Sequence, residues 1–415
     1  MDLFVKLEAE KCKGCRHCMM RCPTEAIRVR QGKASIISER CIACGNCARI
    51  CPTRAKSAVY TPMTALSGYA YNIAVPCPSI YGQFEGIGDV NAILNALVRI
   101  GFDDVFEVAV GCEIVSEATR TLVGSPNGFP VINSSCPAVT KLIRIGYGQL
   151  AKHISPVKMP EEIAAAMAKD RAEKNTAFKR GEIGVFVIAP CAAKAEALQG
   201  APDIDGVVGF GEIYFKLLAE IDKSAGKDGA VKRSETGRLG LQWGASGGEA
   251  NGLTAERYLA ADGIENVLTV LNELDHGKLA DLQFIELNAC PGGCVGGVSN
   301  IENPFMATAR IRKLRYSVPI TLNRFDGDES ALKTFKNAMP PAPFNVFKLS
   351  DDRAEAIQLL KKIESIHRAL PGIDCGVCGA PSCRAMAEDV VNLAARPDEC
   401  VNQRTGIREQ GLGNR

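Results

Sequence analysis

No stretch of this sequence runs to the ~18 uninterrupted apolar residues that a membrane helix requires, so a membrane-spanning role is not expected. Met1-Asp2-Leu3-Phe4-Val5-Lys6 lacks the charged-then-apolar layout of a signal peptide, and the expected location is the cytoplasm. Histidine is scarce, with 4 residues, and tryptophan occurs once. His17, His153, His276 and His367 stand apart, and none is assigned as a ligand. Trp243 precedes a glycine-rich stretch and is expected to pack beside a pocket. Net charge is nearly absent, formally +2, which argues against nucleic-acid binding by bulk charge. No kinase, PAS or DNA-binding module is recognisable, so a signalling output would need a separate partner. What remains is a soluble globular composition, 46% hydrophobic and 23% charged, in 415 residues, room for two or three domains.

Cysteine is the exception to this economy. Eighteen cysteines in a chain without an export signal argue for metal rather than disulfides. Cys12-x-x-Cys15-x-x-Cys18-x-x-x-Cys22-Pro23 is repeated as Cys41-x-x-Cys44-x-x-Cys47-x-x-x-Cys51-Pro52. This is the bacterial two-cluster ferredoxin run, whose fourth cysteine ligates the other cluster. Cys12, Cys15, Cys18 and Cys51 are therefore assigned to one 4Fe–4S cube, and Cys41, Cys44, Cys47 and Cys22 to a second. Zinc is the alternative for any Cys-x-x-Cys, and the doubled run with Cys-Pro argues against it. Paired cubes mean electron transfer.

The block that follows alternates strand-like and helix-like segments, which predicts an α/β domain with a mainly parallel sheet. Strands are expected at Tyr71–Val75, Val105–Val110, Pro130–Ile132, Ile183–Ile188 and Leu282–Leu287. Helices are expected at Val90–Ile100, Ala138–Leu150 and Pro160–Lys174, with residues 58–68 as a linker. Cys136, Cys191 and Cys290 each lie where an apolar strand run gives way to a turn and an expected helix. Strand C-termini and helix N-termini are where α/β sheets hold anionic groups. Cys290-Pro-Gly-Gly-Cys294-Val-Gly-Gly297 adds two thiols in a loop that lets backbone approach a large cofactor. Buried apolar thiols in ordinary turns remain the alternative on spacing alone. Cys77 and Cys112 fit no motif and read as such.

Four stretches carry a resemblance to the catalytic domain of FeFe hydrogenases over most of residues 68–340. They are Ser134-Ser135-Cys136-Pro137, Ala189-Pro190-Cys191-Ala192-Ala193-Lys194, Gly244-Ala245-Ser246-Gly247-Gly248 and the Cys290–Gly297 loop. The resemblance implies that Cys136, Cys191, Cys290 and Cys294 hold a 4Fe–4S cube. Cys294 would bridge it to a diiron azadithiolate unit with CO and cyanide ligands, completing an H-cluster. Lys194 would hydrogen-bond a cyanide, and Ala189, Pro190, Gly244, Ser246 and Gly247 would line the cofactor. The implied reaction is H₂ oxidation or evolution.

Departures from the family pattern fall on the proton path. The position of the family's proton-passing cysteine is Ser135, a far weaker acid than a thiol. Glu117 and Ser155 match relay positions, but the outer relay glutamate is Arg120, which cannot deprotonate. The usual methionine before Pro-Cys is Ala189, Val139 stands near an absent tryptophan, and the last motif ends Gly296-Gly297-Val298. With Glu302-Asn303-Pro304-Phe305, that ending resembles the sensory, low-turnover branch.

Farther on, Pro340-Pro341-Ala342-Pro343 reads as a break before a helix at Asp351–Leu370. Cys375-Gly-Val-Cys378-Gly-Ala-Pro-Ser-Cys383, with Cys400 after a helical spacer, resembles a small 4Fe–4S domain found in electron-bifurcating reductase subunits and corrinoid proteins. A cube there would offer electrons a second exit or report redox state. Four cubes would bring the net charge to roughly −6.

The expected architecture is α/β. Residues 1–60 form a ferredoxin-like domain with two cubes, 68–340 a two-lobed hydrogenase-like domain, and 345–415 a small third cluster domain. The expected function is a sensory FeFe hydrogenase that turns over H₂ slowly. The alternatives are a conventional ferredoxin-linked hydrogenase and a non-catalytic iron–sulfur relative. H₂ and protons, a ferredoxin-like redox partner, a signalling protein and maturation proteins are the expected partners, with no nucleic acid or membrane; a homodimer stays open.

Overall fold

The computed structural model describes residues 3–123, 130–224, 232–253, 255–323, 335–336 and 342–404. Two compact units emerge. One comprises Met1–Cys41, Asn46–Ser57 and Phe344–Arg415; the other comprises Ile42–Gly45 and Ala58–Pro343.

In the first unit, β1 (Val5–Leu7) pairs with β4 (Lys56–Ala58), and β2 (Ile27–Arg30) runs antiparallel to β3 (Lys33–Ile36). Two short helices, His17–Met20 and Asn46–Arg49, carry Cys18 and Cys47. The C-terminal part adds the helix Arg353–Ala369 and a second helix, Cys383–Val391. The first starts two residues later than the aspartate pair suggested. Asp352 is its cap, the carboxylate accepting the Ala354 N–H at 2.8 Å, so Asp351 and Asp352 precede the first turn. Pro340 and Pro341 of the expected break lie outside the described residues.

The second unit holds two parallel sheets. β5 (Tyr71–Pro76), β6 (Asp104–Val105), β8 (Ile183–Ala189) and β9 (Gly206–Gly209) form a sheet in the order β6-β5-β8-β9. β7 (Val131–Ile132), β10 (Tyr258–Asp262) and β11 (Phe284–Asn288) form the other, in the order β10-β11-β7. All seven residues of β8 are buried, as parallel strands covered on both faces require. One core gathers Tyr81, Phe84, Phe186, Phe210 and Leu97, with Phe84 edge-on to Phe210 at 5.8 Å.

Four local expectations are corrected. Only Asp104–Val105 is strand in the run expected to extend to Val110, and a helix begins at Val108. A short apolar run fits a buried helix as well as a strand, and Val108–Val123 is buried on most sides. The helix expected to reach Leu150 stops at Gly146 and continues as a 3₁₀ turn, Gly148–His153; two glycines flanking Tyr147 weaken a helix interior. Residues 58–68 are not a free linker. Thr61 exchanges hydrogen bonds with Val207 of β9 at 2.8 and 3.0 Å, and Met63–Gly68 is a 3₁₀ helix. Finally, Cys290 leads into a turn and the 3₁₀ segment Cys294–Gly296 rather than an α-helix, because Gly292 (φ +74) and Gly293 (φ +86) take left-handed backbone paths that no α-helix continues.

Candidate metal centres

The ferredoxin-like run places its cysteines where backbone donors can serve sulfur. Ala34 N–H points at Cys12 Sγ (3.4 Å), Ala26 N–H at Cys22 Sγ (3.3 Å) and Ala55 N–H at Cys51 Sγ (3.2 Å). The Cys22–Thr24–Ala26 arrangement recurs at Cys51–Thr53–Ala55, an internal repeat in three dimensions. Lys56, buried, donates to Cys18 Sγ at 3.0 Å. Burial, with Cys41 and Cys22 nearby, pushes the Cys47 thiol up to about 12. Such a thiol keeps its proton unless a metal replaces it. Cys15 is exposed and Cys41 and Cys44 are half-buried. In the C-terminal part, Cys375, Cys378, Cys383 and Cys400 line one cavity. Asn402 Nδ2 lies 3.3 Å from Cys375 Sγ, and Asp374 accepts the Cys383 N–H at 2.6 Å. Both regions suit thiolate-held clusters.

In the second unit the four distant motifs converge. Cys136 caps the helix Pro137–Gly146 and Cys191 caps Ala192–Leu198. The Cys290–Gly297 loop packs against the other two stretches. Ser246 N–H donates to Gly292 O at 2.9 Å, and Ser299 N–H donates to Pro190 O at 2.8 Å. Gly293 has φ +86, and a Cβ there would lie 2.5 Å from Ser246 N; a Cβ on Gly297 would lie 2.3 Å from Pro190 O. Glycine is needed at both for contact alone. Burial raises the proton affinity of Cys136, Cys191 (to about 12) and Cys294, and the neighbouring thiols add to the rise at Cys191. These four sulfurs are chemically suited to a cube.

Beside Cys294 opens a small cavity. Ser135 and Lys194 line it; Glu117 and Ser155 are absent from the lining residues. Glu117 is partly exposed and forms an ion pair with Arg120, whose guanidinium also donates to Gly252 O. Ser155 is buried, its hydroxyl accepting the Val157 N–H. Trp243 lines the cavity, its indole donating to Ser116. Cys77 and Cys112 line it as well, both buried.

Three carboxyl groups that the motif reading passed over also line this cavity: Glu161, Glu249 and Glu286. Glu161 forms a buried ion pair with Lys194 and accepts from Cys77 Sγ at 3.3 Å; its Oε2 is buried without a partner. Burial, the largest influence, pushes Lys194 down, but Glu161 and the nearby thiols outweigh it and raise its proton affinity. Glu249 accepts the Ser135 hydroxyl at 2.6 Å, and Asn133 Nδ2 lies 3.3 Å away. Burial and then Glu286 push Glu249 up to about 8. Glu286 accepts the Gly247 and Ala250 N–H groups, each at 2.9 Å. Glu249 follows the Gly244–Gly248 stretch directly and Glu286 opens the stretch before Cys290, a proximity in sequence that could have flagged both. Glu161 had no such signal, because acidic residues in a first helical turn are ordinary.

The family model described as iron only hydrogenase large subunit, C-terminal domain, matches residues 71–254 and 248–298, more than half of the chain. The chain belongs to this family. A 4Fe-4S dicluster domain matches residues 4–52 and an Fe-S cluster domain matches 370–401. The hydrogenase-like α/β fold thus carries an N-terminal dicluster domain and a C-terminal iron–sulfur domain. Among curated relatives, iron hydrogenase 1 of Clostridium pasteurianum is 23% identical over 320 residues, 64% of this chain and 55% of that protein. Nuclear prelamin A recognition factor of Homo sapiens is 25% identical over 240 residues, covering 46% and 50%. A cytosolic Fe-S cluster assembly factor NAR1 homolog of Schizosaccharomyces japonicus is 29% identical over 139 residues, covering 31% and 26%. The chain spans about half the length of the first two hydrogenase relatives it matches, 55% and 46%. A solved FeFe hydrogenase of Chlamydomonas reinhardtii is 17% identical with a TM-score of 0.46, over 64% of this chain and 89% of that one. No helix among the described residues is long and apolar enough to cross a membrane.

The donor set separates two cofactors. Four convergent thiols suit a cube. A diiron unit bearing two cyanides is anionic, and Lys194, the cation among the described lining residues that would meet it, is already paired with Glu161. The cavity chemistry does not match that group.

Proposed function

We propose that this chain is an iron–sulfur electron-transfer protein of the hydrogenase family that holds cubes and does not turn over hydrogen rapidly. The observation that carries this reading is the buried Lys194–Glu161 pair, which occupies the cation that an anionic diiron ligand would need. The Arg120–Glu117 pair supports it, since a guanidinium on the inner relay carboxylate interrupts proton transfer. Relatives named as iron–sulfur assembly factors lend support from outside. On this reading the cluster cysteines hold four cubes and exchange single electrons with a soluble carrier such as a ferredoxin in the cytoplasm. A second reading, a slow sensory hydrogenase serving a separate signalling partner, is favoured by one feature: the cavity beside Cys294 is retained, with Lys194 and Ser135 on its wall.

Protein produced together with the maturation proteins of an FeFe hydrogenase decides between them. The expected result is iron and sulfide for cubes, no infrared bands from CO or cyanide, and no H₂ uptake with methyl viologen. Bands with slow uptake that Ser135→Cys accelerates would transfer the conclusion to the sensory reading. Rapid uptake by the unaltered protein would overturn both.

A further inference from the structure

The first compact unit joins the two ends of the chain. Arg28, buried in β2, grips Asp389 of the helix Cys383–Val391 through two bonds, Nε to Oδ2 at 2.6 Å and Nη2 to Oδ1 at 3.0 Å. Arg30 reaches Asp389 at 2.6 Å and Glu399 at 3.2 Å, and Arg40 reaches Glu388 at 3.2 Å. A bidentate, buried arginine–carboxylate contact with a second arginine on the same carboxylate has the geometry of a fixed joint rather than a surface encounter.

The joint brings cluster loops together. Val29 N–H donates to Gly379 O at 2.9 Å, and a Cβ on Gly379 would lie 1.9 Å from Val29 O. A Cβ on Gly376 would lie 2.6 Å from Met20 Sδ and 3.0 Å from Met19 Cε. Arg16, between Cys15 and Cys18, donates to Gly376 O at 3.3 Å. Gly376 separates Cys375 from Cys378, and Met19 follows Cys18. Gly376 therefore leaves room for the segment that carries Cys15 and Cys18, and Gly379 leaves room for β2 beside it.

We infer that the C-terminal cube exchanges electrons directly with the cube of Cys12, Cys15, Cys18 and Cys51 across the Arg16/Met19/Met20–Gly376 contact, so it is an internal relay and not a detached exit. This rests on the reading that both cysteine sets hold cubes. In the step, a low-potential one-electron carrier reduces one cube; that cube passes the electron on and is reoxidised, and its neighbour is reduced by one. No bond is made and no proton moves.

The test is low-temperature EPR of the reduced full-length protein, beside a Cys378→Ser/Cys383→Ser variant without the third cube and an Asp389→Asn variant with the joint weakened. The expected result is fast-relaxing, broadened signals in the unaltered chain that narrow and saturate more easily in both variants. A full-chain spectrum equal to the sum of independent cubes overturns the relay, and so does unchanged coupling when the third cube is removed. Should Asp389→Asn fail to fold, the cysteine variant still decides. Iron analysis separates the failures: cubes missing from the unaltered chain refute the cluster assignment, whereas cubes present without coupling refute only the relay.

Discussion

Glu249→Gln is expected to remove most of a loss of stability that the unaltered protein suffers as pH rises. In the folded chain burial, then Glu286, lifts the Glu249 carboxyl from an ordinary 4.5 to about 8. The folded state thus holds this proton more tightly than the unfolded chain does. The contribution is fully present below about pH 4.5, declines as pH rises, and is lost through pH 8. A difference of that size corresponds to about 5 kcal/mol. Glutamine keeps the shape, can accept the Ser135 hydroxyl, and carries no charge to bury. The check is anaerobic urea unfolding of the cluster-loaded protein at several pH values between roughly 5 and 9, the window in which the linkage acts. The unaltered midpoint should fall across that range while the variant's midpoint stays nearly level. Parallel curves would show that Glu249 is not the group responsible. Glu286, also raised by burial, would then be the next carboxyl to replace.

Lys194→Met is expected to be among the most damaging single substitutions in the second unit. It leaves Glu161 buried with its one cationic contact among the described residues gone and its Oε2 already without a partner there. Removing one member of a buried pair costs about 3–5 kcal/mol, because the remaining charge has neither water nor counter-ion. The double variant Glu161→Gln/Lys194→Met should recover most of that loss, since replacing both members of such a pair is often near neutral. Thermal or urea unfolding of the single and double variants reads this directly. If the double variant is no better than Lys194→Met, Lys194 supports the fold by packing along its methylene stem rather than by charge. The same experiment bears on function. Glu161→Gln alone leaves Lys194 charged and no longer neutralised, so any affinity of the cavity for an anion should increase.

The iron–sulfur domains were legible because their cysteine motifs are written in local spacing. Cys12–Cys22 and Cys41–Cys51 are each one loop and one short helix long, and a loop of that length cannot place its sulfurs far apart. The Cys290–Gly297 loop was legible for the same reason. Strand-and-helix alternation similarly announced parallel sheets, since strands joined through helices pair in parallel. Errors collected where an apolar run had two solutions, at Val105–Val110, and where a segment without strong pattern found a partner far away, at Thr61 with Val207.

Ser135, Lys194 and Trp243 of the cavity wall were legible, but their acidic neighbours were not. Glu161, Glu249, Lys194 and Cys77 come from four separate stretches, and nothing in any one of them reveals that a lysine assigned to a ligand will meet a glutamate first. Nor did local pattern reveal that β2 and the helix Cys383–Val391 share a buried arginine–aspartate joint 361 residues apart in sequence. Cysteine spacing and element type were set by short-range pattern and periodicity, which covalent geometry converts directly into positions. Which charges are neutralised and which cysteine-bearing segments are neighbours was set by tertiary packing, because Coulomb and contact energies depend on distance in space, and chain separation leaves that distance free.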